Sequence, residues 1–540
     1  MGEIETKTHL RDSTEADPLW SSLAQYFEAT VARYPNHDAL IFDDARHTYT
    51  SLNDAANQVA KALAAQGITK GDHVGILMAN CPTYVECLFG VAKLGAVAVL
   101  VNARYKPAEL AYIIENADLK LLITHDLISE YANFGDLIRE ALTIRQTPLL
   151  KQLVMQGNPR DGFLPWDAFI TGGASVAQDA ISALTHATTA FDPCIMMYTS
   201  GTTADPKGCP LHQAMLVRNG QNMNRSRYFL NDQDRFWAPL PMFHMASILP
   251  LLCCIDAGAA VMSTTHFDAG DALAAMERER ATVAFSCFPT IMQALIDHPD
   301  YPSRDLSAIR RINNSAPPDA LAKFQAAIPQ AVQTSAYGLT EAGGVIAFHH
   351  PDDSLELRIR TCGQPMPGLE AKIVHPETLV DLPFGEQGEI WLRGYSVFQG
   401  YYKAPEKNAE SFVDDWFRTG DLCAIESTGH IQFHGRIKDM LKVGGENVAA
   451  IEIESLLSTH PAVKMPQVIG VPDDRLLEVA CAYIELHEGQ TATAEELIEF
   501  CKGKIASFKV PRHIRFVTEW PMSTTKIQKY VLRANYLQGS

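Results

Sequence analysis

Between Cys194 and Gly208 the chain reads CIMMYTSGTTADPKG, an apolar run that breaks into small hydroxyl-bearing residues and ends on a lysine. Cys194 to Tyr198 has the length and composition of a buried strand that delivers a loop to a sheet edge. The six residues Thr199 to Ala204 are all small, and four of them carry hydroxyls. Backbone amides and side-chain donors can therefore crowd one concave surface, which suits a polyphosphate. Lys207 adds positive charge at the far end, while Pro206 stiffens the turn and Gly208 releases it. The plain alternative is a solvated loop without a ligand, but such a loop does not need this density of hydroxyls followed by a lysine. Because Gly208 follows Lys207, the pattern G-x-x-x-x-G-K-[ST] does not fit, which argues against the ordinary P-loop nucleotide hydrolases.

Outward from this loop, the pattern is that of an α/β fold. An amphipathic helix is expected within Leu19 to Tyr34, where Leu23, Phe27 and Val31 recur at intervals of four, and a second from Leu52 to Gln66, capped by Thr50 or Ser51 and closed by Gly67. Apolar Val74–Met78, Ala96–Val101 and Leu121–Thr124 then alternate with helical Thr83–Leu94 and Ala108–Asn116, the signature of parallel βαβ units. Asp161 to Asp192 has weaker periodicity and reads as a surface connection. After the loop, the alternation resumes with a helix near His212–Arg227, strands near Arg235–Ala238 and Ala260–Ser263, a helix capped by Asp268, and strands at Val283–Phe285, Arg310–Asn313 and Val332–Ala336. Gly363 to Leu392 turns to short runs with Gly and Pro, which predicts antiparallel sheet. The last hundred residues read as a small α+β unit with its own core. The expected organisation is a large N-terminal domain over 1–437 and a small mobile domain over 438–540.

Composition sets the outer bounds. The 540 residues, 47% apolar, can fill more than one core, and 45 Lys plus Arg against 63 Asp plus Glu give a net charge of -18. That balance argues against nucleic acid as a partner, without excluding a local basic pocket for one nucleotide. The 11 cysteines lack a C-x-x-C, so neither a zinc site nor a disulfide framework is indicated, and reduced thiols in a cytoplasmic protein are the simplest reading. The N-terminus lacks an apolar signal region. Gly2 and Thr6 match the loose myristoylation pattern, which is often accidental. Asn80, Pro82, Glu86 and Lys93 interrupt the longest apolar region, so no transmembrane segment is expected.

Five further stretches stand beside the loop: PMFH (Pro241–His244), SAYGLTEAGG (Ser335–Gly344), WFRTGDL (Trp416–Leu422), GRIKDMLKVGGENV (Gly435–Val448) and PMSTTKIQKYVLR (Pro521–Arg533). Each has an ordinary explanation alone. His244 can be a structural histidine, Asp421 a turn residue and Lys526 a solvated charge. Together, in this order and spacing, they resemble the adenylate-forming superfamily of acyl-CoA synthetases, firefly luciferases and peptide-synthetase adenylation domains, over about residues 20 to 535.

The resemblance implies ATP, Mg²⁺ and coenzyme A as the cofactors and a small carboxylic acid as the other partner. A carboxylate attacks the α-phosphate while pyrophosphate leaves, so negative charges must be gathered and neutralised. Thr199, Ser200, Gly201, Thr202, Thr203 and Lys207 would hold the β- and γ-phosphates, and Glu341 the metal. Ser315, Ala316 and Pro317, with Tyr337, Gly338, Leu339 and Thr340, would line the nucleotide. Asp421 would accept from the ribose and Arg436 donate to the nucleotide. Lys526 would bridge the carboxylate and the α-phosphate, where charge is shared in the transition state. For the second step the small domain would turn about Lys438, withdrawing Lys526 and bringing up Lys442, Gly444 and Gly445, past which the thiol would reach the adenylate. His244 would sit where acyl group, nucleotide and thiol meet, positioning or gating rather than transferring protons. Two positions depart from the family pattern: Ala204 stands where glycine is usual, and Thr524-Thr525-Lys526 where Thr-Gly-Lys is usual. A side chain restricts φ at both, yet no charged participant is lost.

By the same resemblance, the acyl pocket is built from His244, Met245, Ser247 and Ile248, from the strand end through Phe288, and from Gly343 and Gly344. This lining is apolar and partly small, so a hydrophobic aliphatic, alicyclic or aryl acid fits. There is no Asp near Met245 to meet a substrate ammonium, and no carrier domain follows. An acid:CoA ligase is the first reading. A ligase that passes its adenylate to a carrier protein or an amine is the second, and a silent acyl- or nucleotide-binding protein the third. The sequence leaves the chain length of the acid, membrane association and a homodimer open.

Overall fold

The computed structural model describes residues 22–43, 45–199, 206–443, 446–473, 475–523 and 526–539, with the side chains of 446, 447, 477, 523 and 526 outside the description. It divides into two compact units, residues 1–370 with 392–417, and residues 371–391 with 418–540.

The first unit contains two seven-stranded sheets. In one, the strands lie in the order Leu164–Pro165, Gln152–Gln156, Leu119–His125, His73–Leu77, Val97–Leu100, Pro193–Thr199, Lys207–His212. All pair in parallel except the last two, which form an antiparallel hairpin with Thr199 opposite Lys207. The stretch 200–205, with Ser200, Gly201, Thr202 and Thr203, lies outside the described residues. Gly208 has no room for a side chain: a Cβ there would come within 2.9 Å of Met196 Sδ and 3.2 Å of the Tyr198 ring.

The other sheet runs Val332–Thr334, Arg311–Asn314, Val283–Cys287, Arg235–Trp237, Ala260–Ser263, Asp38–Phe42, Ala45–Thr48, parallel but for the last pair. Both sheets reverse their strand order once, between His73–Leu77 and Leu119–His125 in the first and between Arg235–Trp237 and Val283–Cys287 in the second. Beyond the carboxyl ends of strands at such a reversal, the connecting loops part and leave a crevice.

Helices Leu23–Arg33, Tyr49–Ala65, Pro82–Lys93, Gln213–Met223 and Met245–Ala257 pack on one another, and two of them also contact the strands Val97–Leu100 and Ala260–Ser263. Pro82–Lys93 buries ten of its twelve residues and Met245–Ala257 eleven of thirteen, so both are apolar all round rather than amphipathic. Even Lys93 is buried there, paired with Glu28.

The expected elements occur close to their predicted bounds, with one difference of kind. Asp161–Asp192 is not irregular: it holds the helices Trp166–Gly172 and Gln178–Ala187. Only Phe169 is buried on the first, and only Ile181 and Thr185 on the second, so the apolar stripe is too thin to register as a period. The helix predicted from Leu52, with Thr50 or Ser51 as its cap, starts at Tyr49 and is capped by Thr48, whose hydroxyl accepts from the Ser51 amide.

In the second unit, the strand Ile431–Arg436 pairs antiparallel with residues 421–425 of a longer strand. The C-terminal sheet runs Glu446–Ala449, Met440–Val443, Leu477–Leu486, Val463–Asp473, with His513–Phe516 parallel to Leu477–Leu486. The helices Ala450–Leu457 and Ala494–Cys501 close its core around Ile453, Leu457, Val468, Ala482 and Leu497. Among the described residues, no helix is long and apolar enough to cross a membrane.

Candidate active site

The predicted acyl and adenine residues stand together at the carboxyl ends of neighbouring strands. His244 follows Arg235–Trp237, Phe288 follows Val283–Cys287, Ser315, Ala316 and Pro317 follow Arg311–Asn314, and Tyr337 follows Val332–Thr334. The first two flank the reversal point of their sheet, where a crevice is expected.

His244 is the N-cap residue of Met245–Ala257, half-buried, its ring edge-on to Phe243 at 4.7 Å. Its turn is clamped from the other sheet by buried Asn80, whose Nδ2 donates to the Leu240 carbonyl at 2.8 Å and whose Oδ1 accepts from the Met242 amide at 2.8 Å. Ser247 spends its hydroxyl on the Leu240 carbonyl. Met245, Ser247 and Ile248 are all buried. Gly344 lies against the same helix: a Cβ there would meet Met245 Cβ at 3.2 Å and Leu249 Cδ2 at 3.3 Å. Phe288 is exposed. It follows Cys287, whose φ of 58° is unusual for a residue with a side chain.

Glu341 is carried on a single helical turn, Thr340–Ala342, entered through Gly338 and Leu339 and left through Gly343 at φ 67° and Gly344 at φ 106°. Its Oε1 accepts from the Tyr401 hydroxyl at 2.9 Å and lies 3.3 Å from the Thr199 hydroxyl. Its carbonyl accepts from the Phe398 amide at 2.8 Å. The end of the phosphate-loop strand and the predicted metal carboxylate thus meet, 142 residues apart in sequence. On the opposite strand, the Gly208 carbonyl accepts from the Tyr402 amide, whose hydroxyl donates to Asp118 at 2.7 Å.

The donors beside Glu341 are all oxygens, one carboxylate and two hydroxyls. A hard divalent cation such as Mg²⁺, usually held by one or two carboxylates together with substrate phosphates, fits such a set. Among the described residues no group of three or more His, Cys, Asp or Glu is placed to hold a metal ion.

In the second unit, Asp421 and Arg436 face each other across the strand pair, Arg436 Nε 3.1 Å from Asp421 Oδ1. Asp421 is buried, and its stretch of strand is set by the Thr419 hydroxyl, which accepts from the Asp421 amide, and by Glu389, which accepts from the Gly420 amide at 3.0 Å. Lys438 sits in the single turn Ile437–Asp439, where burial holds its ammonium below the usual lysine range. Lys442 is exposed, its Nζ 3.5 Å from Glu377. Gly444 and Gly445 lie outside the described residues. Lys526 begins a short strand, Lys526–Ile527, paired with Met522–Ser523.

Sequence reading missed Tyr401 and Asn80, which make the contacts to Glu341 and to the Leu240–Met242 turn. Asn80 carried a signal only in retrospect, as a polar residue breaking an apolar run.

Comparison with known proteins finds family matches over most of the chain. The AMP-binding enzyme family matches residues 27–402, and the AMP-binding enzyme C-terminal domain matches residues 452–526. The provisionally named acyl-CoA synthetase YngI of Bacillus subtilis (strain 168) is 36% identical over 97% of this chain and 98% of its own. The mitochondrial medium-chain acyl-CoA ligase ACSF2 of Macaca fascicularis is 33% identical over 98% of this chain and 88% of its own. Among solved structures, the anthranilate CoA ligase AuaEII in complex with anthranoyl-AMP superposes with a TM-score of 0.84 at 29% identity, covering 97% of this chain and 98% of that one. The chain therefore belongs to the AMP-binding enzyme family, the adenylate-forming superfamily, on its acyl-CoA synthetase branch.

Proposed function

We propose that this enzyme activates a hydrophobic carboxylic acid with ATP, releasing pyrophosphate, and passes the acyl group from the adenylate to coenzyme A, releasing AMP. The observation that carries the reading is the meeting of Thr199 with Glu341 at the mouth of the Pro193–Thr199 and Lys207–His212 hairpin. The carboxylate and the strand end would then take a metal–polyphosphate between them, beside the helix start at Met245, against which Gly344 lies.

In this reading the loop from Thr199 through Ser200, Gly201, Thr202 and Thr203 to Lys207 holds the β- and γ-phosphates, and Ser315 to Pro317 with Tyr337 to Thr340 line the nucleotide. Mg²⁺, held by Glu341, supplies neutralising charge to the leaving pyrophosphate. Asp421 accepts from the ribose and Arg436 turns from Asp421 to the nucleotide. Lys526 bridges the attacking carboxylate and the α-phosphate, an interaction made where charge is shared and therefore worth most in the transition state. Lys438 serves as the hinge between 1–437 and 438–540. The second step brings Lys442, Gly444 and Gly445 to the adenylate for thiol attack, with His244 gating the meeting point.

The apolar lining from Met245, Ile248, Phe288, Gly343 and Gly344 supports a hydrophobic acid, in keeping with a relative named as a medium-chain ligase. AMP release by the purified protein over a set of aliphatic and aryl acids, with and without CoA, tests the proposal. CoA-dependent AMP and thioester with an apolar acid are expected. Adenylate formed and released without thioester, then consumed by an amine or a carrier protein, would favour the second reading instead.

A further inference from the structure

Asn219 is 2% exposed on the helix Gln213–Met223, which follows directly from the hairpin strand Lys207–His212. Its Nδ2 donates to the Gly343 carbonyl at 2.9 Å and lies 3.4 Å from the Ala342 carbonyl, the two groups that close the turn bearing Glu341. Its Oδ1 accepts from the Tyr395 hydroxyl at 2.6 Å, and that hydroxyl in turn accepts from Asn222 Nδ2 at 2.9 Å. The Arg218 guanidinium covers the Tyr395 ring at 4.3 Å. Burial pushes the Tyr395 phenol up to about 12, so it keeps the proton that it donates.

The fit is steric as well as polar. A Cβ on Gly343 would come within 2.5 Å of Asn219 Nδ2, so the amide occupies space that only glycine leaves. One planar group thus gives its donors to the Glu341 turn and its acceptor to the residue that fixes the amide's orientation. No other side chain of that size combines the two: Asp offers no donor to a carbonyl, and Leu neither donor nor acceptor.

Resting on the function proposed above, we infer that Asn219 is the positioning residue for the Glu341 carboxylate, fixing it for the uptake of a Mg²⁺–nucleotide, with Tyr395 setting the amide. Equilibrium titration of ATP into the full-length protein, once with excess Mg²⁺ and once with EDTA, tests this without recourse to turnover. Asn219→Asp is expected to weaken binding of ATP with Mg²⁺ by about tenfold or more, the scale seen when supports of metal ligands are removed, while binding in EDTA stays within about twofold. Tyr395→Phe keeps the ring, frees the amide, and shifts the same quantity in the same direction by a smaller factor. It decides the matter if the aspartate variant does not fold. Unchanged Mg²⁺-dependent affinity overturns the inference, and so does equal weakening with and without Mg²⁺, the mark of a merely structural role. Wild-type protein that binds no ATP under either condition would overturn the reading of function, and this inference with it.

Discussion

A single methyl group at Gly338 would lie 1.7 Å from the Gly344 carbonyl oxygen, and backbone cannot yield as the tip of a side chain can. The turn that carries Glu341 is therefore drawn tight at both of its ends. Gly338→Ala is expected to cost about 1–3 kcal/mol in a urea melt, as overpacking generally does, and to lower acid-dependent pyrophosphate release by at least about tenfold through displacement of Glu341. An unaltered melt with full activity would contradict this. At the same scale, what the sequence displays is the chemistry-bearing half of each contact. Thr199, Lys207, His244 and Glu341 sit in compact motifs and can be read locally. Their supports cannot: Asn80 reaches Met242 across 162 residues, Asn219 reaches Gly343 across 124, and Tyr401 reaches Glu341 across 60. A buried amide or phenol in an apolar stretch looks the same whether or not it holds an active-site turn.

Among elements, the ends of the two sheets are tied by a short relay. His125, buried at the end of Leu119–His125, accepts from the Ala79 amide at 2.8 Å, and the next residue, Asn80, clamps the Leu240–Met242 turn that leads to His244. Burial lowers the His125 imidazole from 6.5 to about 4. The folded state thus binds its proton later than the unfolded state as pH falls. The His125 contribution to stability is therefore full above pH 6.5 and lost between there and about pH 4, by about 3 kcal/mol. His125→Gln, which can still accept from Ala79 and does not titrate, should flatten that part of the pH dependence in denaturant midpoints measured between pH 7 and pH 4. An acid limb identical to that of wild type would exclude His125 as its source. Most strands of both sheets were readable because parallel strands covered on both faces are apolar runs, whereas Ala45–Thr48, Gln152–Gln156, Leu164–Pro165 and Lys207–His212, at or next to the sheet edges, were not. The helices within Asp161–Asp192 were not, because one or two buried side chains each leave almost no periodic signal.

For the whole molecule, the sequence led to a catalytic body and a small terminal domain divided at Lys438. The compact units divide elsewhere, with 371–391 and 418–437 grouped alongside the C-terminal residues. Compactness follows which strands pair, whereas a hinge follows where few dihedrals can absorb a movement, so the two lines need not coincide. In the proposed cycle labour is divided: Lys526 serves adenylation and is withdrawn for thioester formation. The most direct test of this division measures the two half-reactions separately in Lys526→Ala: pyrophosphate release from acid and ATP, and thioester formation from supplied acyl-adenylate and CoA. The account predicts that the first falls by at least about a hundredfold, the scale of losing one preorganised charge at the transition state, while the second stays within about threefold of wild type. Equal loss of both would contradict it.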